Sequence, residues 1–109
     1  MAGAQFVDIW INCPDRAIAE RIAEAAVGDR LAACANVFPQ ISSVYRWKGA
    51  VARADEIPLL LKARSAHFEA IVELAKSIHP YETPSIGATE LVAIDAGYAD
   101  WLAAETREP

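Results

Sequence analysis

The sequence predicts an α+β domain of the ferredoxin-like type, a split βαβ sandwich in which two helices cover one face of a four-stranded sheet. Two observations lead to this prediction. Strand-like and helix-like segments follow one another in the order βαββαβ with a helical tail, and the two middle strands form a long hairpin. A chain of 109 residues has room for one such domain, so we expect residues 1–109 to fold as a single unit.

The chain opens with a predicted buried strand and an amphipathic helix. Residues 6–11 are rich in β-branched and aromatic side chains, which favour strands. Pro14 and Asp15 suit the first turn of a helix, and Gly28 is a suitable end. Apolar residues recur on one face of this helix, at Ile18, Ile22 and Ala25.

The middle of the chain is predicted to form the hairpin. Residues 31–47 have the pattern of a long strand kinked at Pro39, and alternation with a period of two resumes over 51–61 after a tight turn at 48–49. The far part of the hairpin is more polar than its base, so we expect it to extend beyond the core. Pro58 has no backbone donor, and we therefore expect a bulge or an unpaired edge position there.

The last third of the chain is predicted to contain a helix, a strand and a second helix. Ser65 is a suitable N-cap for the first helix, whose apolar stripe ends at Ile78. The segment 79–84 contains two prolines and forms a stiff loop. A strand over 86–95 and a short helix over 98–106 complete the fold.

One face of the predicted sheet has no helix to cover it. The chain is 54% hydrophobic, and Tyr45 and Trp47 lie on the hairpin. Uncovered apolar faces and aromatic anchors are typical of subunit interfaces. We therefore expect the chain to associate with copies of itself.

Charge and hydropathy exclude several partners. The chain has 10 Lys and Arg against 15 Asp and Glu, a net charge of −5, which argues against binding to nucleic acid. Its apolar runs are too short to cross a bilayer, and its start lacks the features of an export signal. We expect a cytoplasmic protein with no membrane partner, in which Cys13 and Cys34 are reduced.

Two places in the sequence have side chains suited to chemistry. Cys13 follows the first strand beside a helix start, which favours a thiolate, although packing in the turn explains a small residue equally well. His79, Tyr81 and Glu82 lie together on a loop, where the His and the Glu are candidate metal ligands; a structural His at a helix end is the alternative. His67 is expected on the outer side of its helix, without a role.

Motifs of the common enzyme classes are missing from the sequence. It contains no Gly-rich phosphate loop, no paired-cysteine zinc motif and no Gly-x-Ser-x-Gly elbow. We therefore expect a protein that is not an enzyme and has no organic cofactor.

Several segments together resemble the CutA divalent-cation tolerance family in order and spacing, over nearly the whole chain. They are Cys13-Pro14-Asp15, Leu31-Ala32-Ala33-Cys34-Ala35-Asn36, Ser43-Val44-Tyr45-Arg46-Trp47-Lys48-Gly49, Glu56, Lys62, His79-Pro80-Tyr81-Glu82-Thr83-Pro84 and Tyr98-x-x-Trp101. The resemblance implies a ferredoxin-like protomer in a cytoplasmic homotrimer that binds copper or other divalent cations.

The resemblance implies only part of a copper site. The ligands proposed for the family are a Cys after the first strand and two His before the Pro-Tyr pair. Cys13 and His79 match, but Ile78 stands where the first His would be, and Glu82 is the candidate oxygen ligand in its place.

A second function class stays open at this stage. The expected architecture is similar to that of the PII signalling proteins, which suggests a trimer with a small molecule in a cleft between subunits. Trp47, Lys62 and Tyr81 are expected near this cleft, and Tyr45 and Trp101 at the cleft or the subunit interface.

Overall fold

A computed structural model describes residues 3–109 as five strands and three helices. A single 3-10 turn, Ser65–His67, precedes the second helix. In chain order the elements are β1 (Phe6–Cys13), α1 (Arg16–Gly28), β2 (Ala32–Val37), β3 (Ile41–Trp47), β4 (Ala50–Arg64), α2 (Phe68–Ile78), β5 (Ile86–Glu90) and α3 (Ala96–Glu105). No helix in this part of the chain is long and apolar enough to span a membrane.

The strands form the predicted ferredoxin-like sheet. Their spatial order is β2-β4-β1-β5, and β1 is antiparallel to both of its neighbours. The last strand is shorter than the predicted 86–95. Glu90 already lies opposite Val7, near the start of β1, so there is no further strand for a longer β5 to pair with.

The hairpin of β3 and β4 extends beyond the core, as predicted. Lys48 and Gly49 both have positive φ angles, 50° and 83°, which is the conformation of a two-residue hairpin turn. None of the residues from 41 to 55 is buried. The hairpin therefore gains most of its order within this chain from backbone pairing along β4.

The long strand predicted over 31–47 is divided into β2 and β3. Val37 lies opposite Leu59 and Ile41 lies opposite Glu56, so the three residues between β2 and β3 stand opposite two residues of β4. One extra residue in one strand is the geometry of a bulge, and it bends the chain around Pro39.

Pro58 lies at this break, and its two sides differ. Towards β1 it faces Asn12 in an unbroken register, so the expected irregularity is wrong on that side. Towards β2 and β3 its carbonyl accepts a hydrogen bond from the Phe38 amide at 2.9 Å. In a strand, the backbone N and O atoms of one residue point to the same side. The nitrogen of Pro58, which has no hydrogen to donate, therefore lies on the side where pairing with β2 and β3 is interrupted.

The core lies between the sheet and the helices α1 and α2. Ile9, Ile11 and Cys13 alternate along β1 towards these helices, and each is 0% exposed. The opposite face of β1 presents Trp10, which is 38% exposed and whose ring centroid lies 5.4 Å from that of Phe38. Within one chain, this face of the sheet has no cover from α1 or α2.

The start of α2 differs from the prediction. Ser65 is not its N-cap. The Ser65 hydroxyl instead donates to the Gln5 carbonyl at 3.1 Å, a contact that continues the pairing of β4 with β1. The 3-10 turn delays the helix to Phe68 and places His67 inward. The prediction of an outward His67 is therefore wrong: it is 5% exposed, and neither ring nitrogen has a hydrogen-bond partner within residues 3–109.

The C-terminal end of α3 is closed by side chains from elsewhere in the fold. The last four carbonyls of the helix, residues 102–105, have no partner within a helix. The Thr106 hydroxyl donates to the first at 2.8 Å, the Arg64 guanidinium to the second at 2.9 Å, and the Arg30 guanidinium to the third and fourth. Arg64 also donates to the Thr106 hydroxyl at 2.9 Å, so α3 is attached to β4 and to the turn after α1.

Candidate functional site

A cleft of about 760 Å³ lies between β3 and the loop that follows α2. Its walls come from the end of β1, from the hairpin and from residues 80–85 of the loop. Its lining includes the side chains of Asn12, Tyr45, Trp47, Glu56, Tyr81 and Glu82.

The backbone of Asn12 holds both ends of this loop. Its carbonyl oxygen lies 2.8 Å from Nε2 of His79, and its amide donates to the Ser85 carbonyl at 3.2 Å. Pro80 and Pro84 restrict the loop between these two contacts. The end of β1 therefore positions the loop wall of the cleft.

His79 has a defined tautomer in this arrangement. The Tyr81 amide donates to Nδ1 at 3.2 Å, so Nδ1 has the free electron pair, and Nε2–H donates to the Asn12 carbonyl. The ring is 5% exposed and meets the Tyr81 ring edge-on at 4.8 Å. His79 is thus a buried neutral imidazole whose two nitrogens both have backbone partners.

Cys13 is packed in the core and is not a reactive thiol. It is 0% exposed, and burial, followed by the charges of Asp15 and Glu56, raises the pKa of its thiol to about 11. The expectation that the helix start favours a thiolate is therefore wrong. Asp15 is the N-cap of α1 and accepts from the Ile18 amide at 2.9 Å, which places a negative charge where the helix dipole alone would be positive.

This raised pKa predicts a loss of stability at high pH. The folded pKa of Cys13 is above its ordinary value of 9.0, so the neutral thiol stabilises the fold below pH 9.0 and this contribution disappears as the pH rises towards 11. We expect the difference in unfolding free energy between the parent and Cys13→Ala to fall by on the order of 2 kcal/mol between about pH 8 and about pH 11. Urea unfolding at both pH values measures it. A difference that does not change with pH would contradict the prediction.

Glu56 is one of the residues that carry the family resemblance, but its place in the site was not predicted. It is 8% exposed, lines the cleft, and forms no hydrogen bond or ion pair within residues 3–109. Burial is the main cause that raises the pKa of Tyr81, and the charge of Glu56 is the second cause. The sequence contains one signal that could have identified it. Glu56 lies on the same face of β4 as Pro58 and Leu60, so an acidic residue occupies a position in an otherwise apolar alternation.

The residues predicted for a cleft or interface fall into two groups. Tyr45, Trp47 and Tyr81 line the cleft. Lys62 lies on the open face of the sheet, with its ammonium 5.8 Å from the Tyr98 ring centroid. The Trp101 ring stacks against Tyr98 with 5.8 Å between centroids. Within one chain these two groups form separate surfaces.

The predicted metal ligands do not form a cluster in the structure. Glu82 is exposed at the cleft, His79 is hydrogen-bonded through both nitrogens, and Cys13 lies in the core. Residues 3–109 contain no group of three or more His, Cys, Asp or Glu side chains placed to share a metal ion. A cation bound by these three residues would require the loop to move.

Comparison with known proteins gives a consistent result. The family model of the CutA1 divalent ion tolerance protein matches residues 7–105. The chain is 39% identical over 98 residues to the divalent-cation tolerance protein CutA of Thermus thermophilus, covering 90% of this chain and 95% of that protein. It is 37% identical over 93 residues to mouse protein CutA, covering 85% of this chain, and it spans about half of that protein's length (52%).

Solved structures extend the comparison to the fold. The crystallised divalent cation tolerance protein Cut A1 from Thermus thermophilus aligns with a TM-score of 0.91 at 37% identity, covering 94% of this chain and 99% of that one. The periplasmic divalent cation tolerance protein CutA from Archaeoglobus fulgidus aligns with a TM-score of 0.88 at 33% identity, covering 92% and 97%.

Proposed function

The chain belongs to the CutA1 divalent ion tolerance family, and we propose that it acts as a homotrimer that binds a divalent cation, with copper favoured, and catalyses no reaction. The names of the family and of its relatives support the cation. The observation that supports a site in this chain is the orientation of the His79 ring.

The His79 ring is oriented as metal-binding imidazoles usually are. Such a ring commonly donates one N–H to a backbone carbonyl, which fixes the tautomer and directs the other nitrogen at the metal. Nε2–H of His79 donates to Asn12 in this way, so Nδ1 is the nitrogen available to a cation. The Tyr81 amide already donates to Nδ1 at 3.2 Å. This is a long hydrogen bond, which a modest shift of the loop would break.

Glu82 and Cys13 complete the proposed ligand set. Glu82 lies three residues beyond His79 on the same loop and offers a carboxylate. Cys13 must lose its proton before it binds a metal, and its raised pKa opposes this, so its contribution should grow with pH. Imidazole and thiolate ligands favour copper over zinc. A site on a loop that must move should bind reversibly, and folding should not depend on the metal.

Copper titration of single variants tests this site. We expect His79→Gln and Glu82→Gln each to weaken binding at pH 7 by about tenfold, as loss of one ligand usually does, and Cys13→Ser to matter mainly at higher pH. Isothermal calorimetry without oxygen measures the affinity. Glu69→Gln removes an acid from the outer side of α2 and should bind copper as the parent does. Equal affinity and stoichiometry in every variant would contradict the proposed ligands.

The exposed aromatic surfaces support the proposed trimer. Trp47 and Trp101 are each 43% exposed, and Trp10 lies on the uncovered face of the sheet. Exposed tryptophans of this kind are common anchors of subunit interfaces.

Sedimentation equilibrium at micromolar concentration should therefore give three times the chain mass of 11.8 kDa. We expect Trp47→Ala to shift the equilibrium towards monomer or to lower the melting temperature by several degrees, because it removes an aromatic anchor. Val92→Ala, at a residue that is 93% exposed, is the control. A monomer mass for the parent would contradict the proposal.

The size and lining of the cleft favour a second candidate function, the binding of a small molecule by a PII-like trimer. Small-molecule sites usually have about 300–1,000 Å³ and combine aromatic walls with a few polar groups. The cleft, with about 760 Å³, Tyr45, Trp47 and Tyr81, has both properties. Calorimetry with a panel of nucleotides and carboxylates, beside copper and zinc, distinguishes the two functions.

We further propose that the protein resides in the cytoplasm. The support is that both cysteines are free, Cys13 within the core and Cys34 on β2. The related Archaeoglobus fulgidus protein is described as periplasmic, so the compartment needs its own test. Fractionation of the source cells followed by immunoblotting provides it, and recovery in a periplasmic fraction would contradict the proposal.

A further inference from the structure

We propose that the cleft binds an organic cation, with an ammonium group on the Glu56 carboxylate and an apolar body between Tyr45, Trp47 and Tyr81. The inference specifies the ligand class of the second candidate function and depends on the cleft being a ligand site.

The carboxylate of Glu56 lies in the wall of the cleft without a partner in the part of the chain that the structure describes. Glu56 is 8% exposed and faces the cleft, yet it has no ion-pair or hydrogen-bond partner within residues 3–109. A carboxylate that opens into a cleft with apolar walls attracts cations more strongly than one on an open surface, because the walls exclude part of the screening water. A cation that enters the cleft would supply the missing partner.

Arg46 lines the same cleft and does not neutralise Glu56. Its guanidinium lies 3.5 Å from the Gly49 carbonyl, at the hairpin turn, and it forms no ion pair with Glu56. Lys48, the next cation along the chain, lies over the Trp47 ring at 5.7 Å. The positive charges of Arg46 and Lys48 therefore lie near the tip of the hairpin.

The aromatic walls favour an organic cation over a bare metal ion. Within one chain Tyr45, Trp47 and Tyr81 are each 40–43% exposed, so part of each ring is free to contact a ligand held in a cleft at the boundary between subunits. Aromatic faces attract ammonium groups and pack against apolar carbon. A hard divalent ion instead needs about six oxygen ligands in a close cage. The cleft offers the carboxylates of Glu56 and Glu82 with a few amide and hydroxyl groups, and residues 3–109 contain no group of three or more His, Cys, Asp or Glu side chains placed to share a metal ion.

Three compounds of the same shape and different charge test the inference: benzylammonium, benzyl alcohol and benzoate. The chain has three tryptophans, so an ¹⁵N-labelled sample gives three indole N–H signals, and Trp47→Phe identifies the one in the cleft. Trp10 and Trp101 do not line the cleft and serve as internal references. We expect benzylammonium to shift the Trp47 signal and to bind at least about tenfold more tightly than the other two compounds.

Two variants separate the role of Glu56 from a general effect of charge. Glu56→Gln keeps the side-chain shape and should weaken benzylammonium binding about tenfold. Asp55→Asn removes the same charge from the exposed neighbouring position and should bind as the parent does. Circular dichroism confirms that both variants are folded.

The outcomes distinguish the inference from the function on which it depends. If benzoate or benzyl alcohol binds as tightly as benzylammonium, or if Glu56→Gln binds like the parent, the cleft is a ligand site but the preference for a cation is wrong. If none of the three shifts the Trp47 signal while a nucleotide or carboxylate binds in calorimetry, the inference fails and the small-molecule function stands. If no compound of either set binds, both fail. Copper binding through His79 is measured separately and is unaffected by either result.

Discussion

Replacement of Ile11 by alanine is expected to lower the free energy of unfolding by about 2–5 kcal/mol. Ile11 is 0% exposed at the centre of the sheet, where Leu59 of β4 and Ile86 of β5 flank it. The substitution removes buried apolar atoms and leaves a cavity that strands on both sides prevent from closing. Urea unfolding of parent and variant at one protein concentration measures the difference, since association would otherwise change the apparent stability.

A graded series makes this prediction specific. Ile11→Val removes one methyl group and should cost about 0.5–1.5 kcal/mol. Val51→Ala, at a position on the hairpin that is 64% exposed, should change the stability little. Equal losses for Ile11→Ala and Val51→Ala would show that the sheet centre is not the core described above.

Replacement of Arg64 by leucine is expected to release α3 and to cost about 3 kcal/mol. Arg64 is 9% exposed and donates to the Ala103 carbonyl and to the Thr106 hydroxyl, each at 2.9 Å. Without it these buried acceptors lose a charged donor. The contact with Glu108 at 3.7 Å adds little, because the Glu108 side chain is 88% exposed.

Hydrogen exchange locates the effect of this change. Amides of α3 should exchange faster in Arg64→Leu, while amides of β1 keep their order of protection. Arg64→Lys keeps the charge but has no planar fork to reach two acceptors, so it should lie between leucine and the parent. Unchanged protection of α3 in Arg64→Leu would mean that Leu102 packing and the Arg30 hydrogen bonds hold the helix without Arg64.

Most of the fold could be predicted from hydrophobic periodicity. Alternation along β1 and β4 and the stripe of α2 identify the sheet and the helix-covered face, because burial follows directly from side-chain spacing. The extent of β5 could not be predicted, since it depends on where its neighbour β1 begins. The inward His67 follows from a 3-10 turn, for which the sequence 65–67 contains no specific signal.

The candidate site was predicted less completely than the fold. The motifs identify Cys13, His79 and Glu82 by type, yet the burial of Cys13 and the hydrogen bonds of His79 depend on contacts between distant segments. The place of Glu56 in the site was missed because an acid on a long strand resembles a solvent-facing residue until its neighbours in space are known. Local patterns indicate which groups are present, and only packing determines which of them are ionised or free.

The hydrogen bond from the Tyr81 amide to His79 has a consequence for regulation. A metal that uses Nδ1 must displace this amide, and Tyr81 is also a wall of the cleft. The loop would then take two arrangements with different cleft shapes. Binding free energies are reciprocal, so a metal at His79 that changes the affinity of the cleft by some factor has its own affinity changed by the same factor. The fraction of protein with metal at His79 would then depend on the concentration of the ligand that binds the cleft.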